Sequence, residues 1–299
     1  MNNLPNLIIA GVNKAGTTSL FTYLSQHPQV GSSRIKEACY FLPIRYGDEP
    51  AIIEEYLSLF EHIHSTPVIM EATPGYFYGG MPLINQINST LPDVKIIILL
   101  RNPTDRLISF FNFMKSMLLL DQNMSIDSYI RKCRTLSRQD LKDKNNNPYF
   151  GIEGGFYNRY ISDWIDQFGD RLNILFLDDL KRNPGEVFVE LCEWLGVESD
   201  FYNDFDFSVE NRTAQYTNKR MQQIALFINV KSESLFRKFP IAKQCLRGIY
   251  AFLNQEKIQT ITQAEKDRIN NIYCASNHEL ASNLRNIGIH NLPRWLDEK

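Results

Sequence analysis

The chain has 299 residues, of which 43% are hydrophobic, 12% aromatic and 22% charged, and its 32 basic and 34 acidic side chains leave a net charge of -2. Such a composition excludes global disorder, and the length fits a single large domain over residues 1–299. Near-neutral charge argues against a binder of nucleic acid polymers but leaves room for a small anion held by a local cluster. The cysteines Cys39, Cys133, Cys192, Cys245 and Cys274 lie far apart with no C-x-x-C. They are expected as buried or partly buried thiols, not as a disulfide framework or a metal site. There is no run of about 18 apolar residues, and the opening Met-Asn-Asn-Leu-Pro-Asn lacks the basic start of a signal peptide. The resulting expectation is a cytoplasmic protein.

In chain order, residues 7–10 form an apolar run closed by Gly11, and a helical pattern follows over 17–26. Strand, glycine-bearing turn and helix open an α/β unit. A periodic helix is expected over 51–62, then a short strand over 67–70. Residues 94–100 are the clearest buried strand, with Lys95 its only charge, as in a parallel sheet covered on both faces. A helix over 156–168 precedes a strand over 172–177. Pro184 then starts a helix that Gly196 stops. The polar run 142–147 reads as an exposed loop.

The turn Gly11-Val12-Asn13-Lys14-Ala15-Gly16-Thr17-Thr18-Ser19 carries the strongest chemical signal. Its glycines permit a tight path, the helix start offers unpaired N–H groups, three hydroxyls add donors, and Lys14 supplies positive charge. The spacing approaches a nucleotide triphosphatase loop, G-x-x-x-x-G-K-[ST], but here the lysine precedes the second glycine. Arg101-Asn102 also follows the strand where such an enzyme places a magnesium-holding acid. A small-molecule or nucleotide kinase is therefore disfavoured and stays as an alternative, as does a nucleotide- or glycan-binding protein without catalysis. In the second basic segment, Arg101 offers a fork of donors to a phosphate and Ser109 a hydroxyl. Arg106, on the same helix face as Ser109, is either a ligand contact or the partner of an acid. The histidines show no metal-ligand spacing, and no metal is expected. His27 reads as a cap or packing residue.

Lys14-Ala15-Gly16-Thr17-Thr18-Ser19-Leu20 resembles the 5'-phosphosulfate loop of sulfotransferases that use 3'-phosphoadenosine 5'-phosphosulfate (PAPS). Arg101-Asn102-Pro103-x-x-Arg106-x-x-Ser109 resembles their 3'-phosphate motif, R-[DN]-P-x-x-R-x-x-S. The likeness continues through 177–197 and 292–296 and is weak over 120–150 and 225–260. It implies a central parallel sheet flanked by helices, with a P-loop-like nucleotide site. It also implies transfer of a sulfuryl group from PAPS to a hydroxyl or amine of a small-molecule, lipid or glycan acceptor, giving 3',5'-ADP.

By position, the resemblance assigns Lys14, Ala15, Gly16, Thr17, Thr18 and Ser19 to the 5' side and Arg101 and Ser109 to the 3'-phosphate. Arg212 and Arg220 would belong to a closing loop, although the glycine usual there is missing. Lys36-Glu37-Ala38-Cys39-Tyr40-Phe41 is similar to the K-E-x-x-[FY]-F segment of the glycan branch, which makes Glu37 the catalytic base beside Lys14. Glu71-Ala72-Thr73-Pro74-Gly75-Tyr76-Phe77 is similar to E-K-[ST]-P-x-Y-F, with alanine where the family has lysine. That departure weakens transfer of a heparan-like acceptor preference, and Lys36 is positioned in sequence to compensate. Between Arg212 and Arg247 stand eight basic residues and one acid, Glu233. The stretch 212–250 fits a glycan platform, peripheral membrane contact, or a plain solvated helix face.

Overall fold

The structure, a computed structural model, describes residues 4–208 and 261–297. Five parallel strands form its centre: β1 (Leu7–Gly11), β2 (Val30–Ser32), β3 (Val68–Ala72), β4 (Lys95–Leu100) and β5 (Leu172–Phe176), in the order β2-β3-β1-β4-β5. All of β1 and all of β4 but Lys95 are buried, which is why both read as continuous apolar runs. The edge strand β5 is mostly half-buried.

Helices α1 (Thr17–Leu24), α2 (Ile53–Ser58), α3 (Gly80–Thr90), α4 (Pro103–Ser116), α5 (Ile126–Arg134) and α6 (Asn158–Phe168) join these strands. After β5 come α7 (Leu177–Arg182) and α8 (Pro184–Leu195), and after residue 260 α9 (Gln263–Asn286) and α10 (Arg294–Asp297). Pro184 occupies the first turn of α8, and Gly196 ends it with φ 78° and a hydrogen bond from its N–H to Cys192 O, as expected. A reciprocal Thr262–Glu265 capping box starts α9.

Several elements depart from expectation. The helix expected over 51–62 is confined to α2, because three-residue-spaced hydrogen bonds, Phe60 N–H to Leu57 O and Ile63 N–H to Phe60 O, replace the α pattern after it. His62 and His64 consequently lie in a loop, both exposed. Two 3₁₀ turns, Asp140–Lys142 and Lys144–Tyr149, organise most of the polar run at 142–147, whose residues are exposed or half-buried. Among the cysteines, Cys133 and Cys192 are buried and Cys39 is half-buried, but Cys274 is exposed on α9. Cys245, Arg212, Arg220 and the whole 212–250 stretch lie outside the described residues. No helix among those described is long and apolar enough to cross a membrane.

Candidate active site

In the strand order, the chain leaves β1 toward the β3–β2 side and leaves β4 toward β5. The loops after these two adjacent strands thus open at a topological switch point, where α/β sheets bind ligands. Both line a cleft of about 1040 Å³.

The first loop is tied to β4 by Val12 N–H, which donates to Leu99 O at 3.0 Å. Lys14 and Gly16 take left-handed φ values of 69° and 93°. The φ of Gly16 calls for glycine, and a Cβ there would also sit 2.8 Å from Leu177 Cδ1 and push that side chain aside. Gly16 O accepts from the Ser19 and Leu20 N–H groups, which starts α1. The first amides of the helix then have no intrahelical acceptor. Thr17, Thr18 and Ser19 line the cleft beside Lys14. Ala15 does not: its side chain is buried in the core.

The Lys14 amine stands 4.1 Å from the centroid of the Phe113 ring. Burial above all, and then the Arg101 charge, lower its pKa to about 8, while Glu37 pulls the other way. Arg101 Nη1 donates to the Lys14 carbonyl at 3.0 Å, so the two basic motifs are in direct contact. Tyr157 Oη fixes the Arg101 carbonyl at 2.8 Å. Asn102 caps α4 by accepting from Thr104 N–H at 2.9 Å and Asp105 N–H at 3.4 Å. One side of α4 presents Asp105, Ile108, Ser109 and Asn112 to the cleft.

The Glu37 carboxylate is exposed, lines the same cleft and pairs with Lys36 at 3.0 Å. Its own N–H donates to Ala72 O at 2.8 Å. Two basic, hydroxyl-bearing segments and the exposed Glu37 carboxylate therefore share a single cleft.

The sulfotransferase domain family matches residues 4–273. The chain belongs to that family. It is 27% identical over 265 residues to the bifunctional heparan sulfate N-deacetylase/N-sulfotransferase 1 of Caenorhabditis briggsae, covering 84% of this chain and 29% of the relative. To carbohydrate sulfotransferase 15 of Mus musculus it is 28% identical over 315 residues, covering 86% of this chain and 53% of the relative. The chain thus spans between about a third and a half of the length of these curated relatives. A crystal structure of a sulfotransferase from Alicyclobacillus acidocaldarius has the same fold, with a TM-score of 0.59 and 24% identity over 78% of this chain and 95% of that one.

In this chain Arg106 parts company with Ser109. Its side chain is fully buried, and it donates to the Gly151 carbonyl and packs over the Phe110 ring. The acid partner that was one reading of Arg106 is replaced by a carbonyl and aromatic faces. His27 is buried, bonded to the Glu198 carbonyl and the Gln29 N–H, and is a packing residue as expected. Among the described residues no three His, Cys, Asp or Glu groups gather where a metal would need them. Sequence reasoning missed Arg45, Tyr46, Asn147, Lys181 and Lys266, which all line the cleft. They come from two 3₁₀ turns and two helix surfaces with no shared spacing, so no local motif marks them.

Proposed function

We propose that this sulfotransferase moves a sulfuryl group from PAPS to a hydroxyl or amine of its acceptor and releases 3',5'-ADP. The observation that carries the reading is the contact between the two basic motifs, Arg101 Nη1 on the Lys14 carbonyl, with both loops facing one cleft. The residues fit the donor: the hydroxyl-bearing Thr17, Thr18 and Ser19 and the cations Lys14 and Arg101 line one cleft at the start of α1 and α4. PAPS supplies the activated sulfuryl group on a phosphate leaving group.

Thr17, Thr18, Ser19 and the amides at the start of α1 hold the 5' side, while Ala15 contributes its backbone only. Arg101 and Ser109 hold the 3'-phosphate. Lys14 stabilises the negative charge that grows on the bridging oxygen as the S–O bond breaks. Glu37, exposed in the cleft, takes the proton of the attacking hydroxyl or amine, with Lys36 beside it in the role left open by Ala72. Arg212 and Arg220 are proposed to complete the 3'-phosphate site. The named acceptors of the relatives, heparan sulfate and carbohydrates, favour a glycan over other small molecules or lipids. Cysteine usage supports a cytoplasmic site of action.

The test is release of 3',5'-ADP from radiolabelled PAPS with a panel of glycan, lipid and phenolic acceptors. Label moving to an acceptor, and lost in Glu37→Gln, is the expected result. Binding of 3',5'-ADP without transfer to any acceptor favours the non-catalytic alternative, and magnesium-dependent ATP turnover favours the kinase.

A further inference from the structure

Glu71, at the carboxyl end of β3, is fully buried and takes no part in the transfer described above. Tyr56 Oη donates to its Oε1 at 2.9 Å and Thr73 Oγ1 to its Oε2 at 3.0 Å, and the Tyr76 hydroxyl is a third polar neighbour. Burial raises its pKa to about 7, and these three hydroxyls pull it back toward the ordinary range. An ionised carboxylate only accepts, so the hydroxyls spend their protons on it and turn lone pairs outward.

Those lone pairs meet the backbone of the segment that carries Glu37. Cys39 N–H donates to Thr73 Oγ1 at 3.1 Å and Phe41 N–H to Tyr76 Oη at 3.2 Å. The residue after Glu71 gives a further hold, since Ala72 O accepts the Glu37 N–H at 2.8 Å. Tyr56, bonded to the other carboxylate oxygen, stacks on Tyr40 with ring centroids 4.5 Å apart. The segment so gripped is strained: Glu37 and Cys39 hold φ values of 66° and 58°, which side-chain-bearing residues keep only under constraint.

We propose that Glu71 is a positioning residue that acts through Thr73 and Tyr76 to hold the 37–41 segment in the conformation presenting Glu37 to the cleft. The proposal rests on the reading of Glu37 as the base. It assigns a use to a buried carboxylate otherwise costly to keep.

Three readouts test it: amide hydrogen exchange at Cys39 and Phe41, the Kd of 3',5'-ADP, and hydrolysis of PAPS with water as acceptor. Glu71→Gln replaces one acceptor atom with a donor, so one hydroxyl must give up its donation and that arm loosens. Exchange at Cys39 and Phe41 is expected to accelerate by about tenfold or more. The kcat of hydrolysis is expected to fall by about tenfold or more, with KM for PAPS and the Kd of 3',5'-ADP within about twofold of wild type. Thr73→Val is expected to release Cys39 alone and Tyr76→Phe to release Phe41 alone, which keeps the test open if Glu71→Gln does not fold. Wild-type protection of both amides in these variants overturns the proposal. So does unchanged kcat in Glu71→Gln when Glu37→Gln has lost turnover. Glu37→Gln is expected to lose turnover with both amides protected, and full turnover in that variant overturns the reading of Glu37 instead.

Discussion

Lys14 is held between burial and the Arg101 charge, which lower its pKa to about 8, and Glu37, which raises it. Below that pH the amine is already protonated, so anion binding draws no proton through it. Above it, binding must take up a proton, and the affinity for 3',5'-ADP is expected to fall by up to about tenfold per pH unit. Calorimetric titration from about pH 7 to about pH 9.5 checks this, and Lys14→Met is expected to bind weakly with no such slope. Gly16 makes a second prediction at this scale. With φ 93° and Leu177 Cδ1 2.8 Å from the site of a Cβ, Gly16→Ala is expected to cost about 1–2 kcal/mol in denaturant unfolding and to abolish 3',5'-ADP binding. Lys14, Gly16 and Arg101 were legible because their chemistry depends on spacing within one turn. The settings of Arg106 and Glu71 were not, because their partners Gly151 and Tyr56 reach them from distant parts of the chain.

The α4 helix joins stability to function at its first turn. Asn102 caps it, Pro103 starts it, and Ser109 is carried two turns on toward the cleft. Asn102→Ala leaves the Thr104 and Asp105 amides without their acceptor and is expected to cost about 1 kcal/mol by chemical denaturation. Asn102→Asp retains the acceptor and is expected to restore that loss. An undiminished stability in the alanine variant contradicts the cap. Elements that a single apolar or periodic run specifies were legible in this way, among them β1, β4 and α8. The strand β2 was not, since three residues that include Gly31 carry no periodicity, and only pairing with β3 makes them a strand. The glycine is required there by contact, because a Cβ would lie 2.4 Å from Ile63 Cγ2.

For the whole molecule, the sheet order decides where function lies, because it sets the loops after β1 and β4 side by side at their carboxyl ends. The sequence marks both loops but not the order, which depends on how the crossovers pack. Stability also carries a signature of the buried site. The Glu71 pKa is raised from the ordinary carboxyl value of 4.5 to about 7, so its protonated form is the one the fold favours. Its contribution to stability is fully present below about pH 4.5 and is lost as pH rises through about 7, by up to about 3 kcal/mol. Thermal unfolding is therefore expected to show wild type losing ground to Glu71→Gln between those pH values, and parallel curves contradict the assignment.

The proposed function requires two phosphate subsites in one cleft, and competitive calorimetry of 3',5'-ADP against 5'-AMP measures them directly. A strong preference for 3',5'-ADP that Arg101→Ala removes, and a loss of affinity for both ligands in Lys14→Ala, are expected. Equal affinity for the two nucleotides in the wild-type protein contradicts the proposed function.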